Sequence, residues 1–201
     1  MQNDFYLHCD KLDNLPALNR ENWLLELELQ CNMLPEGASL LQIGCMDGTR
    51  IVEILNKRRD LKVTGLEIEK DFVALAEKNL KNVGLRAKLI CADITTFETS
   101  NRYDFVTCLN NTLSYIPETA KAVEHMRKAA DVTIISVYAE QFDEAKAEAY
   151  FQALHTTVTS SDKNFFHVKG FGAARRFTRA DVESWGGEIT ETPLGYLSVI
   201  R

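Results

Sequence analysis

Short apolar runs recur along the chain, and most pass into a stretch whose apolar positions return every third or fourth residue. This alternation of strand and helix patterns predicts successive βα units and a mainly parallel sheet. The first run, Leu40-Leu41-Gln42-Ile43, breaks at Gly44, and a helix restarts near Thr49 with Ile51, Ile54 and Leu55 on one apolar face. Lys62 to Glu67 reads as the second strand. A helix from Lys70 to Lys81 follows, with Phe72, Leu75, Ala76 and Leu80 on its apolar face and Asn82-Val83-Gly84 at its close. Ala87 to Cys91 and Tyr103 to Leu109 predict a third and a fourth strand. A helix over about 118–130 leads to the unbroken apolar run Val132 to Tyr138, a fifth strand buried on both faces. Phe142 to Leu154 predicts another helix, and Asn164 to Val168 and Leu194 to Ile200 are expected as the last two strands of the sheet. Between them Thr178 caps a short helix from Arg179 to Trp185 that stops at Gly186-Gly187.

The break after the first strand carries the chemistry. In Gln42-Ile43-Gly44-Cys45-Met46-Asp47-Gly48 the glycines let the backbone turn sharply, and the helix that follows points unpaired amides at any anionic group of a ligand. A dinucleotide fingerprint counted from Gly44 fails at Met46 and Thr49, and no Gly-Lys-Ser/Thr phosphate loop exists in the chain. An ordinary strand-to-helix turn remains the competing reading. About 20 residues further on, Glu67 ends the second strand, where a carboxylate can accept both hydroxyls of a ribose. The bland alternative is a solvated charge at a strand end.

Taken in order, the loop, Glu67, Ala92-Asp93-Ile94 and the segment Asn110 to Tyr115 resemble the class I methyltransferases that use S-adenosylmethionine, over roughly the first two-thirds of the chain. That family's first motif runs acidic residue, any residue, Gly-x-Gly-x-Gly. Here the acidic position is Gln42 and the middle glycine is Met46. The resemblance implies an α/β Rossmann-like fold: a seven-stranded, mostly parallel sheet with an antiparallel edge strand and helices on both faces. It also implies a cofactor set of Gln42, Gly44, Cys45, Gly48, Glu67, Ile68, Asp93, Ile94 and Asn110. Within that set Glu67 takes the ribose, Asp93 the adenine amino group, Ile94 the ring, and Asn110 the methionyl part. For Asp93 a helix or turn cap is the alternative. The helix Arg20-Glu21-Asn22-Trp23-Leu24-Leu25 aligns with the glycine N-methyltransferase type, which implies that Arg20 grips the cofactor carboxylate bidentately; a solvated arginine is the alternative. Tyr115 and Asn110 are the catalytic candidates on the substrate side, with Tyr138 and His155 behind them, and ordinary packing competes for each.

Methyl transfer of this kind is an in-line displacement that needs alignment and water exclusion more than a strong base. The expected activity is therefore transfer to nitrogen or oxygen of a small molecule. A catalytically lapsed or regulatory domain, or a partner subunit of the same fold, is the alternative suggested by Gln42 and Met46.

With 201 residues and 45% hydrophobic content, the chain suits one domain, read as a helical cover over 1–37, including Tyr6 and Trp23, and a core over 38–201. A net charge of -6 argues against nucleic acid as a partner and favours a small-molecule substrate, although Arg175, Arg176 and Arg179 keep an anionic one open. Apolar runs too short to cross a bilayer and a start unlike a secretory leader suggest a cytoplasmic protein. Cys9, Cys31, Cys45, Cys91 and Cys108 lack a Cys-x-x-Cys pair and read as reduced core thiols, the last three on or just past predicted strands. His8, His125, His155 and His167 are dispersed, so no metal is expected.

Overall fold

The computed structural model describes residues 15–153, 155–170 and 172–201, so that Tyr6, His8, Cys9 and Leu154 lie outside the described residues. Helix α1 (Ala17–Met33) precedes β1 (Ser39–Ile43), α2 (Thr49–Lys57), β2 (Lys62–Glu67), α3 (Lys70–Asn82), β3 (Lys88–Cys91) and β4 (Tyr103–Cys108). A 3₁₀ turn (Thr112–Tyr115), α4 (Thr119–Ala129), β5 (Ala130–Tyr138) and α5 (Glu144–Ala153) follow. The main sheet has seven strands in the order β3-β2-β1-β4-β5-β10-β9, with β9 at Glu188–Glu191 and β10 at Gly195–Ile200. Strands β1 to β5 pair in parallel, and β10 runs antiparallel to both β5 and β9.

Side chains alternate across the central strands, and both faces are covered. Leu41, Val106, Ile135 and Val137 pack with Ala122, Val123 and Met126 of α4. Leu40, Phe105 and Ile134 pack on the other face with Leu27 of α1, Ile51, Ile54 and Leu55 of α2, and Leu80 of α3. Burial on both faces is why these strands read as continuous apolar runs.

Two expectations are corrected. The strand expected over Asn164–Val168 does not join the main sheet; β7 (Phe165–Val168) is the middle of a separate three-stranded sheet with β6 (Val158–Ser161) and β8 (Gly172–Arg175). The partner of β10 is instead β9, whose sequence Glu-Ile-Thr-Glu carries one apolar residue because an edge strand stays solvated on most of its surface. The antiparallel strand therefore sits one place in from the edge. Cys45 and Cys108 are buried as expected, but Cys91 is exposed, since β3 is the opposite edge of the sheet. Helix α6 (Arg179–Glu183) starts at Thr178 with a reciprocal cap: Asp181 N donates to Thr178 Oγ1 at 3.1 Å and Thr178 N donates to Asp181 Oδ2 at 2.9 Å. Among the described residues no helix is long and apolar enough to cross a membrane.

Candidate active site

The sheet order reverses direction between β1 and β4, the switch point at which open α/β sheets leave a crevice beyond their C-terminal strand ends. A cavity of about 470 Å³ lies there, within the range of small-molecule sites. It brings together Gly44, Glu67, Ile68, Asp93, Ile94, Asn110 and Tyr115 of the expected set, and Tyr138 with them.

The loop after β1 owes its path to local backbone requirements. Gly44 has a φ of 66°, and a Cβ built there would stand 2.4 Å from Thr112 Cγ2, so only glycine lets the β1 and β4 loops meet. Its amide donates to the Leu66 carbonyl at 2.8 Å. Met46 occupies the left-handed region with a φ of 44°, at the place where the family pattern has glycine. That conformation costs a side-chain-bearing residue about 1–3 kcal/mol. It aims the Met46 amide at Glu67 Oε2, 2.9 Å away, while the half-buried side chain lines the cavity.

Glu67 is 5% exposed. Its Oε1 accepts from the amides of Ile68 at 2.9 Å and Glu69 at 3.1 Å. Burial still pushes the carboxyl above its ordinary value, because those three backbone donors only partly replace the lost water. Asp93 caps its own turn, accepting from Thr95 N at 2.8 Å, and also lines the cavity, so the capping and ligand readings are compatible. Ile94 is buried beside it, and Ile68 stands exposed at the rim.

Other expected residues are not brought to the cavity. Arg20 is exposed and off the buried stripe of α1, formed by Asn19, Asn22, Trp23, Glu26, Leu27 and Gln30. Gln42 is buried within β1 and Cys45 in the loop after it, and Gln42 Oε1 has no hydrogen-bond partner. Gly48, with a φ of 79°, packs on Ala76 of α3 and shapes the start of α2. His155 is exposed just past α5 and lines no part of the cavity. The arginine cluster is engaged elsewhere: Arg175 pairs with Asp181 at 3.0 Å, Arg176 lies 4.3 Å over the Phe166 ring, and Arg179 meets Glu183 and Glu191.

Sequence reading missed a buried network under the loop after β4. Glu26 of α1 forms an ion pair with Arg50 of α2 and accepts from Asn22 Nδ2 at 2.9 Å and from the Asn110 amide at 3.0 Å. Arg50 also donates to the Trp23 carbonyl at 2.9 Å and lies 4.2 Å over the Trp23 ring. Asn110 and Asn111 are both left-handed, with φ of 54° and 58°, and this network together with Ser136 Oγ, 3.3 Å from Asn111 N, holds them so. The i, i+4 pair Asn22 and Glu26 was its one trace in the sequence, indistinguishable there from a solvated helix face. Tyr150 and Phe151 of α5, also in the lining, were missed because they read as ordinary helix core. Among the described residues no group of His, Cys, Asp and Glu could hold a metal ion.

With this geometry in place, the chain can be set beside known proteins. Residues 40–132 match the family model described as a methyltransferase domain. Over that stretch, a little under half of its length, the chain is similar to methyltransferase domains. It is 30% identical over 103 residues to a probable (S)-tetrahydroprotoberberine N-methyltransferase 2 of Papaver bracteatum, a match covering 50% of this chain and 26% of the relative. It is likewise 30% identical over 112 residues to a carboxy-S-adenosyl-L-methionine synthase of Campylobacter jejuni, covering 53% of this chain and 45% of that one. The match thus spans less than half the length of either relative. Among solved structures, CalS10 with SAM bound, an amino pentose methyltransferase of Micromonospora echinaspora, superposes with a TM-score of 0.65 over 88% of this chain and 90% of its own, at 19% identity. That likeness concerns the fold of the methyltransferase domain alone.

Proposed function

We propose that the protein is an enzyme that transfers a methyl group from S-adenosylmethionine to a nitrogen or oxygen of a small molecule. The observation that carries this reading is the cavity at the switch point, into which the buried Glu67 and the half-buried Asp93 both open. The residues fit the cofactor. Glu67, already oriented by three backbone amides, would accept from the ribose hydroxyls, Asp93 would accept from the adenine amino group, and Ile68 and Ile94 would hold the ring. Gly44 and the left-handed Asn110 present backbone to the methionyl part.

When bound, the cofactor supplies a methyl group activated by its positive sulfur. The chain aligns the acceptor against it and keeps water out, with the Tyr115 phenol on the acceptor side to orient the attacking atom. Residues 15–37 with α1 buttress the site, and we read the described residues as one domain. A cytoplasmic location fits the reduced thiols at Cys31, Cys91 and Cys108, and the net charge of -6 disfavours nucleic acid.

A domain that binds the cofactor weakly without transferring the methyl is the second reading, favoured by the partnerless Gln42 Oε1 and the left-handed Met46. Isothermal titration with S-adenosylmethionine and S-adenosylhomocysteine tests both. The enzyme reading expects micromolar affinity, about 8 kcal/mol, for each ligand. Absence of binding refutes it. A large gain in affinity for Met46→Gly would favour the second reading.

A further inference from the structure

The cavity is longer than its cofactor end, and its far end has a distinct chemistry. Asp93 follows β3 and Tyr138 ends β5, four strand spacings away in the order β3-β2-β1-β4-β5, or about 19 Å at the usual ~4.8 Å per strand. Beyond Asn110 the lining includes the aromatic residues Tyr115, Tyr138, Tyr150 and Phe151, beside Ile116 and Glu118. We propose that these four aromatic residues form an acceptor subsite for an amine carried on an apolar, ring-sized body that bears no carboxylate or phosphate. The proposal rests on the methyltransferase reading, which gives the other end of the cavity to the cofactor.

Charge decides the class of acceptor. The ionisable residues lining the cavity are carboxylates, Glu67, Glu69, Asp93 and Glu118, besides the tyrosines; among the described lining residues there is no Lys, Arg or His. The nearby arginines are turned to other tasks: Arg176 lies over Phe166 and donates to the Phe142 carbonyl at 3.3 Å, and Arg175 lies 4.5 Å over Phe177. An anionic acceptor would lose its water in this subsite without gaining a cation from its lining, a cost that burial magnifies. An ammonium gains from the faces of the rings and, at longer range, from the carboxylates toward the cofactor end.

Packing decides the body. Tyr138 stacks on Phe142 with centroids 5.0 Å apart and planes at 9°, and both rings meet Phe166 of β7 edge-on, at 6.3 and 5.7 Å. Tyr115 meets Tyr138 edge-on at 6.5 Å. The separate three-stranded sheet therefore stiffens this end from behind, and its lining is dominated by planar rings. In the transfer, the ammonium first loses a proton to water. The nitrogen lone pair then forms the N–C bond while the S–C electron pair stays on sulfur, and the methylated ammonium can shed a second proton to water.

Matched ligands test this with the full chain saturated by S-adenosylhomocysteine, using calorimetry with 2-phenylethylamine, 3-phenylpropionate and ethanolamine. The subsite predicts that 2-phenylethylamine binds at least tenfold more tightly than either of the others. Tyr150→Ala should weaken it at least tenfold while moving S-adenosylhomocysteine affinity less than twofold. Should that variant fail to fold, the comparison of the three ligands on the parent protein decides alone. Equal or tighter binding of 3-phenylpropionate, or no binding of 2-phenylethylamine to the loaded protein, overturns the subsite and leaves the cofactor reading standing. Failure of S-adenosylhomocysteine itself to bind overturns the methyltransferase reading, and the subsite falls with it.

Discussion

Replacing Glu26 by Met removes the carboxylate on which α1, α2 and the loop after β4 converge. Its side chain is 0% exposed and that of its partner Arg50 is 5% exposed, so Glu26→Met strands a guanidinium in the interior. Breaking a buried pair in this way costs about 3–5 kcal/mol, and leaving the Asn110 amide without its acceptor adds about 1–3 kcal/mol. The two penalties overlap because Arg50 can relax toward the Trp23 carbonyl, so a loss of about 4 kcal/mol is expected. In urea, with a slope near the ~3 kcal/mol/M upper end for small proteins, the midpoint should fall by about 1.3 M. The double variant Glu26→Met with Arg50→Met removes both charges and should recover most of that loss, keeping a deficit of about 1–3 kcal/mol from the Asn110 amide. Urea melts followed by circular dichroism measure the stabilities, and S-adenosylhomocysteine titration of the double variant reads whether the loop still shapes the cavity; its affinity should fall. A single variant that loses less than about 1 kcal/mol, or a double variant that loses the sum of the two singles, refutes the network.

Glu67→Ala should weaken S-adenosylhomocysteine binding by about 2–3 kcal/mol, roughly 30- to 150-fold, and unchanged affinity in calorimetry would remove Glu67 from the site. Because burial raises the Glu67 carboxyl above its ordinary 4.5, folding favours its protonated form, a stabilisation present below pH 4.5 and lost as pH rises through the elevated value. Cofactor affinity has the opposite sense: ribose hydroxyls need the ionised acceptor, so affinity should fall with falling pH already above 4.5, and Glu67→Gln should flatten that profile. Gly44→Ala should destabilise the fold by about 1–3 kcal/mol in thermal melts, with partial recovery on adding Thr112→Ser, which removes the methyl that the new Cβ would strike. Alkylation of the native protein, read by peptide mass spectrometry, should modify the exposed Cys91 and spare Cys108, whose thiol burial pushes up to about 12.

The amino-acid sequence alone determined the parts of this protein whose cause is local or periodic. The double burial of β1, β4 and β5 shows as unbroken apolar runs, the faces of α2 and α3 as 3.6-residue spacing, and the turn after β1 as glycines whose backbone other residues rarely adopt. The order of loop, Glu67 and Asp93 carried the family resemblance. Only the tertiary structure decided what depends on partners distant in the chain. Strand β9 is too polar to announce itself, and it becomes a strand because β10 offers it a ladder of hydrogen bonds. Arg20 and Glu26 are both charged residues of one helix, yet one is exposed and the other closes a buried network, because the direction in which α1 docks is set by Trp23, Leu27 and the strands beneath. The aromatic end of the cavity likewise exists only once α5 and the three-stranded sheet fold back onto the end of β5. Periodicity reports which side of an element is buried, whereas a site is made where several buried sides meet.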